Sequence, residues 1–97
     1  MNFEDFVSSL RDREQPPEGL SIPLQALWYE RKGNWEKAHQ LAQSASDAEA
    51  AWVHAYLHRR EGDEGNATYW YLRAGKGRSH QPLDQEWEEI ARVLLGE

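Results

Sequence analysis

The sequence predicts an all-α protein made of a repeated helical hairpin. Two stretches match each other at a shift of 29 residues, so that Ala26 falls on Ala55 and Gly33 on Gly62. Self-similarity with a period of about 20–50 residues is typical of stacked helical repeats. Apolar residues recur at helical spacing along the chain, and no segment shows the alternation that is typical of a strand. These observations favour one all-α domain over residues 1–97, with six helices.

The first helix is predicted over about residues 2–13. Its apolar residues share one helical face: Phe3, Phe6, Val7 and Leu10. The Pro16-Pro17 pair then interrupts the helical pattern, because proline lacks an amide hydrogen and restricts the residue before it. We expect this helix to cap one end of the repeat stack.

The first repeat unit is predicted over about residues 22–46 and contains two helices. Ser21 is a suitable N-cap for the first of them, with Pro23 in the opening turn, where a missing amide hydrogen costs nothing. Gly33 is placed to end that helix in the left-handed conformation. Asn34 follows directly and is predicted to cap the second helix of the unit.

The second repeat unit is predicted over about residues 47–75. Ser46 and Glu49 have the spacing of a capping box, which predicts Ser46 as the N-cap of a helix over residues 47–61. Asp63, directly after the glycine that ends this helix, is predicted to cap the second helix of the unit.

A last helix is predicted over about residues 83–95, after a polar link. Its apolar residues lie on one face: Leu83, Trp87, Ile90, Ala91 and Leu94. We expect this helix to cap the other end of the stack. A homodimer that buries Trp87 together with the last helix is an alternative use of the same face.

The repeat resembles the tetratricopeptide pattern, and a pair of Sel1-like hairpins is a close variant of it. In the tetratricopeptide family each unit has small residues at fixed positions of both helices, which let the helices approach closely. The corresponding small residues are Ala26, Gly33, Ala38 and Ala45 in the first unit, and Ala55, Gly62, Ala67 and Ala74 in the second. Tyr29 and His58 stand three residues after Ala26 and Ala55, where the family has an aromatic residue. The period is shorter than the family's repeat of about 34 residues, and the closing proline is absent.

The resemblance implies a non-catalytic protein-interaction module that binds an extended or helical peptide on the concave side of its stack. Mapping by register places Trp52, Tyr56, Arg59 and Arg60 on that surface. Two arginines beside an aromatic pair would bind acidic groups of a protein or peptide partner, because guanidinium groups match carboxylates. The alternative for Trp52 and Tyr56 is packing against the neighbouring hairpin.

A rival function is the binding of a metal ion by histidines. His54 and His58 are four residues apart and share one helical face, which is how helices present two metal ligands. His39, Tyr71 or a carboxylate would have to complete the site, and the chain has no cysteine and no HExxH sequence. We therefore expect no metal and no cofactor, and we interpret the two histidines as packing residues.

A pocket for a small molecule is the second form of the rival function. Asn66, Tyr69 and Arg73 share one helical face. Together with His54 and His58 they would suit a small polar ligand, with the arginine binding an anionic group. Packing of the aromatic residues in this helix is the alternative.

Composition argues against several other classes of function. The formal net charge of −6 argues against nucleic-acid binding, which needs clustered lysine and arginine. No run of about 18 apolar residues is present, so we expect no membrane span. The first residues lack the basic start and apolar stretch of a signal peptide, which predicts a cytoplasmic protein. No nucleophile motif appears, so we expect no enzymatic activity.

Overall fold

The computed structural model describes all 97 residues and contains six α-helices and no strand. This confirms the predicted all-α fold class. The helices are α1 (Phe3–Asp12), α2 (Ile22–Arg31), α3 (Trp35–Ser44), α4 (Ala48–Arg60), α5 (Glu64–Ala74) and α6 (Leu83–Leu94). None of the six has the length and apolar character of a membrane span.

Side-chain caps determine where the helices begin. The side chains of Ser21, Asn34 and Asp63 each accept a hydrogen bond from the backbone amide three residues further on. These bonds satisfy amides that the first turn of a helix leaves without a partner, so the three predicted N-caps are confirmed. Gly33 and Gly62 follow α2 and α4 with φ angles of 91° and 86°, the left-handed conformation expected of them.

The start of α4 differs from the prediction. Asp47, not Ser46, is the N-cap, and its Oδ1 accepts a hydrogen bond of 2.7 Å from the amide of Ala50. The helix therefore begins at Ala48. A carboxylate forms a charge-assisted bond here and interacts favourably with the positive end of the helix dipole, which explains why it replaces the serine.

Two pairs of consecutive helices form the centre of the fold. α2 packs against α3 and α4 packs against α5, while α4 also contacts α2, α3 and α6. Fully buried alanines allow the helices to approach closely: Ala26, Ala38, Ala55 and Ala67. α4 is the central element, since nine of its 13 residues are buried.

The last helix, α6, lies against α2 and α4. Its Trp87 is 4% exposed and donates an indole hydrogen bond of 3.1 Å to the carbonyl of Leu27 in α2. α1 also covers this tryptophan, because the ring of Phe6 stacks on it with centroids 5.7 Å apart. The apolar faces of both flanking helices therefore contribute to the core.

Candidate functional site

Three of the four histidines converge where α3 meets α4. His39 belongs to α3, and His54 and His58 belong to successive turns of α4. One ring nitrogen of each lies within 4.8 Å of those of the other two. The Nε2 atoms of His39 and His54 are 2.9 Å apart, which is a hydrogen-bond distance. We call these three residues the histidine cluster; His80, the fourth histidine, is exposed and lies outside it.

Aromatic rings hold the histidine cluster in place. Trp35 stacks on His39 with ring centroids 4.8 Å apart, and Trp70 of α5 stacks on His54 at 3.9 Å. Trp35 is itself fixed by a hydrogen bond of 3.0 Å from its Nε1 to the carbonyl of Leu57. Side chains that are restrained before a ligand arrives lose little freedom when it binds, which favours binding.

Carboxylates lie beside the histidine cluster at the turn between α4 and α5. Nδ1 of His58 is 2.7 Å from Oε2 of Glu61 and 4.0 Å from Oδ2 of Asp63. The shorter contact is a hydrogen bond in which the imidazole N–H donates to the carboxylate. The proton of a neutral His58 is therefore on Nδ1, and Nε2 keeps its lone pair.

Burial favours the neutral form of two of the three imidazoles, those of His54 and His39. Desolvation, with smaller effects of the neighbouring His39 and His58, lowers the pKa of His54 to about 4. Desolvation and the nearby His58 also lower the pKa of His39. Neutral imidazole is the form that binds metal ions. The sequence pointed to His54 and His58 as a pair, and the packing of α3 on α4 adds His39.

The aromatic pair predicted for a concave binding surface is not accessible. Trp52 and Tyr56 are 7% and 0% exposed. Tyr56 donates its hydroxyl hydrogen to Oε1 of Glu30 at 3.1 Å, and desolvation raises the pKa of this tyrosine. The expectation of an open aromatic surface is therefore corrected, because the helices of the chain cover both rings.

The two arginines predicted to bind an acidic partner contact acidic groups of their own chain. Nη1 of Arg59 is 2.7 Å from Oε1 of Glu86 in α6. Arg60 lies 3.4 Å from Glu30 of α2 and 3.5 Å from Asp84 of α6. Acidic residues of α6 and α2 thus engage both arginines within the chain.

Glu30 and Glu86 are buried residues that the sequence reasoning missed. They are 8% and 1% exposed, and Glu86 also accepts a hydrogen bond from the hydroxyl of Tyr71. One signal was present: Glu86 stands three residues after Leu83 and four before Ile90, within the apolar stripe of α6. An acid in such a stripe indicates a buried ion pair, although it does not identify the partner.

The residues predicted for a small-molecule pocket do not meet in one place. Tyr69 is 49% exposed, and Arg73 donates to its hydroxyl oxygen at 3.0 Å. Asn66 donates to Asp63 at 2.7 Å at the beginning of α5 and is exposed. Trp70 is the α5 residue that contacts the histidine cluster. His54 and His58 are therefore joined by His39 rather than by these three residues.

A homodimer through Trp87 also lacks its predicted surface. The ring of Trp87 is in contact with Phe3 and Phe6, and the guanidinium carbon of Arg31 lies 4.3 Å from the ring centroid. These contacts leave little of the ring to a second copy of the chain.

The chain matches no protein-family model, no curated protein and no solved structure.

Proposed function

We propose that this chain is a non-catalytic, cytoplasmic protein-interaction module of tetratricopeptide-like architecture, and that its partner docks on α5. The docking surface, named here the α5 face, consists of Tyr69, Leu72 and Arg73. The class of function is the one predicted from the sequence, whereas the surface is new because α6 occupies the predicted one. The observation that carries the proposal is Leu72, which is 74% exposed.

The α5 face exposes a large apolar residue, Leu72, at a place where a helical stack needs polar residues. Terminal units of repeat proteins carry a polar outer face, which keeps the end of the stack soluble. α5 packs extensively on α4 alone, and its outer side presents Leu72 and the half-exposed Tyr69. In a longer stack the next unit would cover this side. A helix of another protein fits the same position.

Arg73 indicates the chemistry of the partner. It has no carboxylate partner within the chain. Its guanidinium carbon lies 5.8 Å from the ring centroid of Tyr69 and 5.6 Å from that of Trp70, so two rings hold it in position. Tyrosine and arginine are enriched among residues that dominate binding energy. We infer a partner helix with a carboxylate opposite Arg73 and an apolar side chain against Leu72.

Photo-crosslinking from α5 tests this proposal. A photoreactive phenylalanine analogue replaces Leu72 in the cells that produce the protein, and crosslinked products are identified by mass spectrometry. The control carries the analogue at Gln43, an exposed residue of α3. We expect one product that is specific to position 72 and contains a helix with acidic residues.

The captured protein is then purified and its affinity is measured directly. Leu72→Asp and Arg73→Glu should each weaken binding at least about 30-fold, because hot-spot substitutions cost about 2 kcal/mol or more. The proposal fails if positions 72 and 43 yield the same products. It also fails if both substitutions leave the affinity unchanged.

A further inference from the structure

We propose that the histidine cluster binds one divalent transition-metal ion of the zinc class through His39, His54 and His58. This site is independent of the α5 face and needs no partner protein. Its basis is the convergence of three ring nitrogens from two helices within 4.8 Å of one another.

The spacing of the nitrogens suits a tetrahedral ion. Zinc binds imidazole nitrogen at about 2.0–2.1 Å, so two tetrahedral ligands of one ion lie about 3.3–3.4 Å apart. The Nε2 atoms of His39 and His54 are 2.9 Å apart, and every separation in the cluster is within 4.8 Å. Ring movements of about one ångström therefore bring the three nitrogens to coordination distance.

Each imidazole has one ring nitrogen that can bind the ion. His58 carries its proton on Nδ1, where it donates to Glu61, and coordinates through Nε2. The contact between His39 and His54 needs a proton on one of the two Nε2 atoms. When the ion enters, that proton moves to Nδ1 of the same ring, and both Nε2 lone pairs bind the metal.

Glu61 gives His58 the support that is typical of a metal-bound histidine. A coordinating imidazole commonly donates its second N–H to a carboxylate, which fixes the ring and raises its basicity. The hydrogen bond of 2.7 Å from His58 to Glu61 has this arrangement. Asp63 places a second carboxylate 4.0 Å from the same nitrogen. The negative charge of both groups favours a cation in the cluster.

Packing alone does not explain this arrangement. Burial of a polar ring costs free energy unless its nitrogens find partners, and apolar side chains would fill the same space without that cost. His54 is 3% exposed, yet its Nε2 bonds another imidazole rather than a backbone group. Trp35 and Trp70 stack on His39 and His54 and thereby restrict the orientation of both rings.

The donor set selects the class of metal. Neutral imidazole suits zinc, copper, nickel and iron, whereas magnesium and calcium prefer oxygen ligands. Three protein ligands leave a fourth position, which water fills in a tetrahedral site. His39 belongs to the α2–α3 pair and the other two ligands to the α4–α5 pair, so the ion joins the two helix pairs.

Metal titration of the full chain, after treatment with EDTA, tests the site. Isothermal titration with zinc chloride should give one bound ion per chain, and cobalt(II) should give the visible absorption of a tetrahedral site. His54→Ala and His39→Gln should each abolish binding. His80→Ala is the matched control outside the cluster and should bind zinc as the wild type does.

Glu61→Gln keeps all three imidazoles and should weaken zinc binding about 10–100-fold, as expected when the carboxylate partner of a ligand is removed. If circular dichroism shows that His54→Ala is unfolded, His39→Gln and Glu61→Gln decide the question. The proposal is overturned if the wild type binds no zinc or if His80→Ala removes the binding. It is also overturned if His39→Gln and Glu61→Gln bind zinc as tightly as the wild type.

Discussion

Neutralising the carboxylate of Glu86 should remove about 3 kcal/mol of folding stability. The residue is 1% exposed. Its Oε1 lies 2.7 Å from Nη1 of Arg59, whose side chain is 15% exposed, and its Oε2 accepts the hydroxyl hydrogen of Tyr71. Both charges are thus largely removed from water, and each compensates the other.

The magnitude follows from what Glu86→Gln leaves behind. Removal of one partner of a buried ion pair costs about 3–5 kcal/mol, because the remaining charge loses its compensation. Glutamine keeps the size of glutamate and one acceptor oxygen, which places the loss at the lower end. The total stability of a domain of 97 residues is about 5–15 kcal/mol. At about 4–8 °C per kcal/mol, the melting temperature should fall by about 12–24 °C.

Urea unfolding at pH 7, followed by tryptophan fluorescence and circular dichroism, measures this change. Glu88→Gln is the matched control, since Glu88 lies on the same helix but pairs with Arg92 at the surface. The control should unfold at the midpoint of the wild type. A stabilising ion pair between Glu86 and Arg59 is refuted if Glu86→Gln also unfolds at that midpoint with an unchanged m value.

Two further predictions concern the backbone and the pH dependence of stability. Gly62→Val should lower the free energy of unfolding by about 1–2 kcal/mol, because Gly62 has a φ of 86° that a side chain with a Cβ disfavours. An added Cβ would meet no other atom within 4 Å, so the whole loss is backbone strain. Gly77→Val, at a glycine without a positive φ, should leave the melting temperature unchanged. Equal melting temperatures for the two variants would show that the left-handed conformation of Gly62 does not cause the loss. The metal-free protein should lose stability, on the order of 2–3 kcal/mol, as the pH falls from 6.5 to about 4. The pKa of His54 is lowered from 6.5 to about 4 in the folded chain. Between these pH values the unfolded chain therefore binds a proton that the folded chain excludes. Urea midpoints measured across this range should show a smaller slope for His54→Gln, and an identical slope in both proteins would count against the role of His54.

Short-range signals were sufficient to predict the helices. A cap such as Asn34 or Asp63 acts within three residues, and a glycine such as Gly33 or Gly62 acts on the turn that contains it. These effects are local, so the sequence carries them in full. The single displaced cap, at Asp47, reflects competition between two adjacent acceptors, which the capping-box spacing does not decide.

The candidate sites depend on contacts between helices, which a single sequence does not specify. His54 and His58 were recognised as a pair because their spacing lies within one helix, whereas His39 is 15 residues from His54. Arg59 and Glu86 are 27 residues apart. Periodicity showed that α6 has an apolar face, but not which helices cover it. For that reason the predicted partner surface is filled by α6, and the α5 face was not anticipated.

The position of α6 has a consequence for the synthesis of the protein. Chains leave the ribosome from the N-terminus, so both helix pairs emerge before α6 does. A hydrogen bond joins Trp87 to Leu27 across 60 residues, and until α6 arrives nothing from this helix covers the surface around Leu27. Such a nascent chain presents an uncovered apolar surface to chaperones and proteases, and the time that α6 takes to arrive sets how long that exposure lasts.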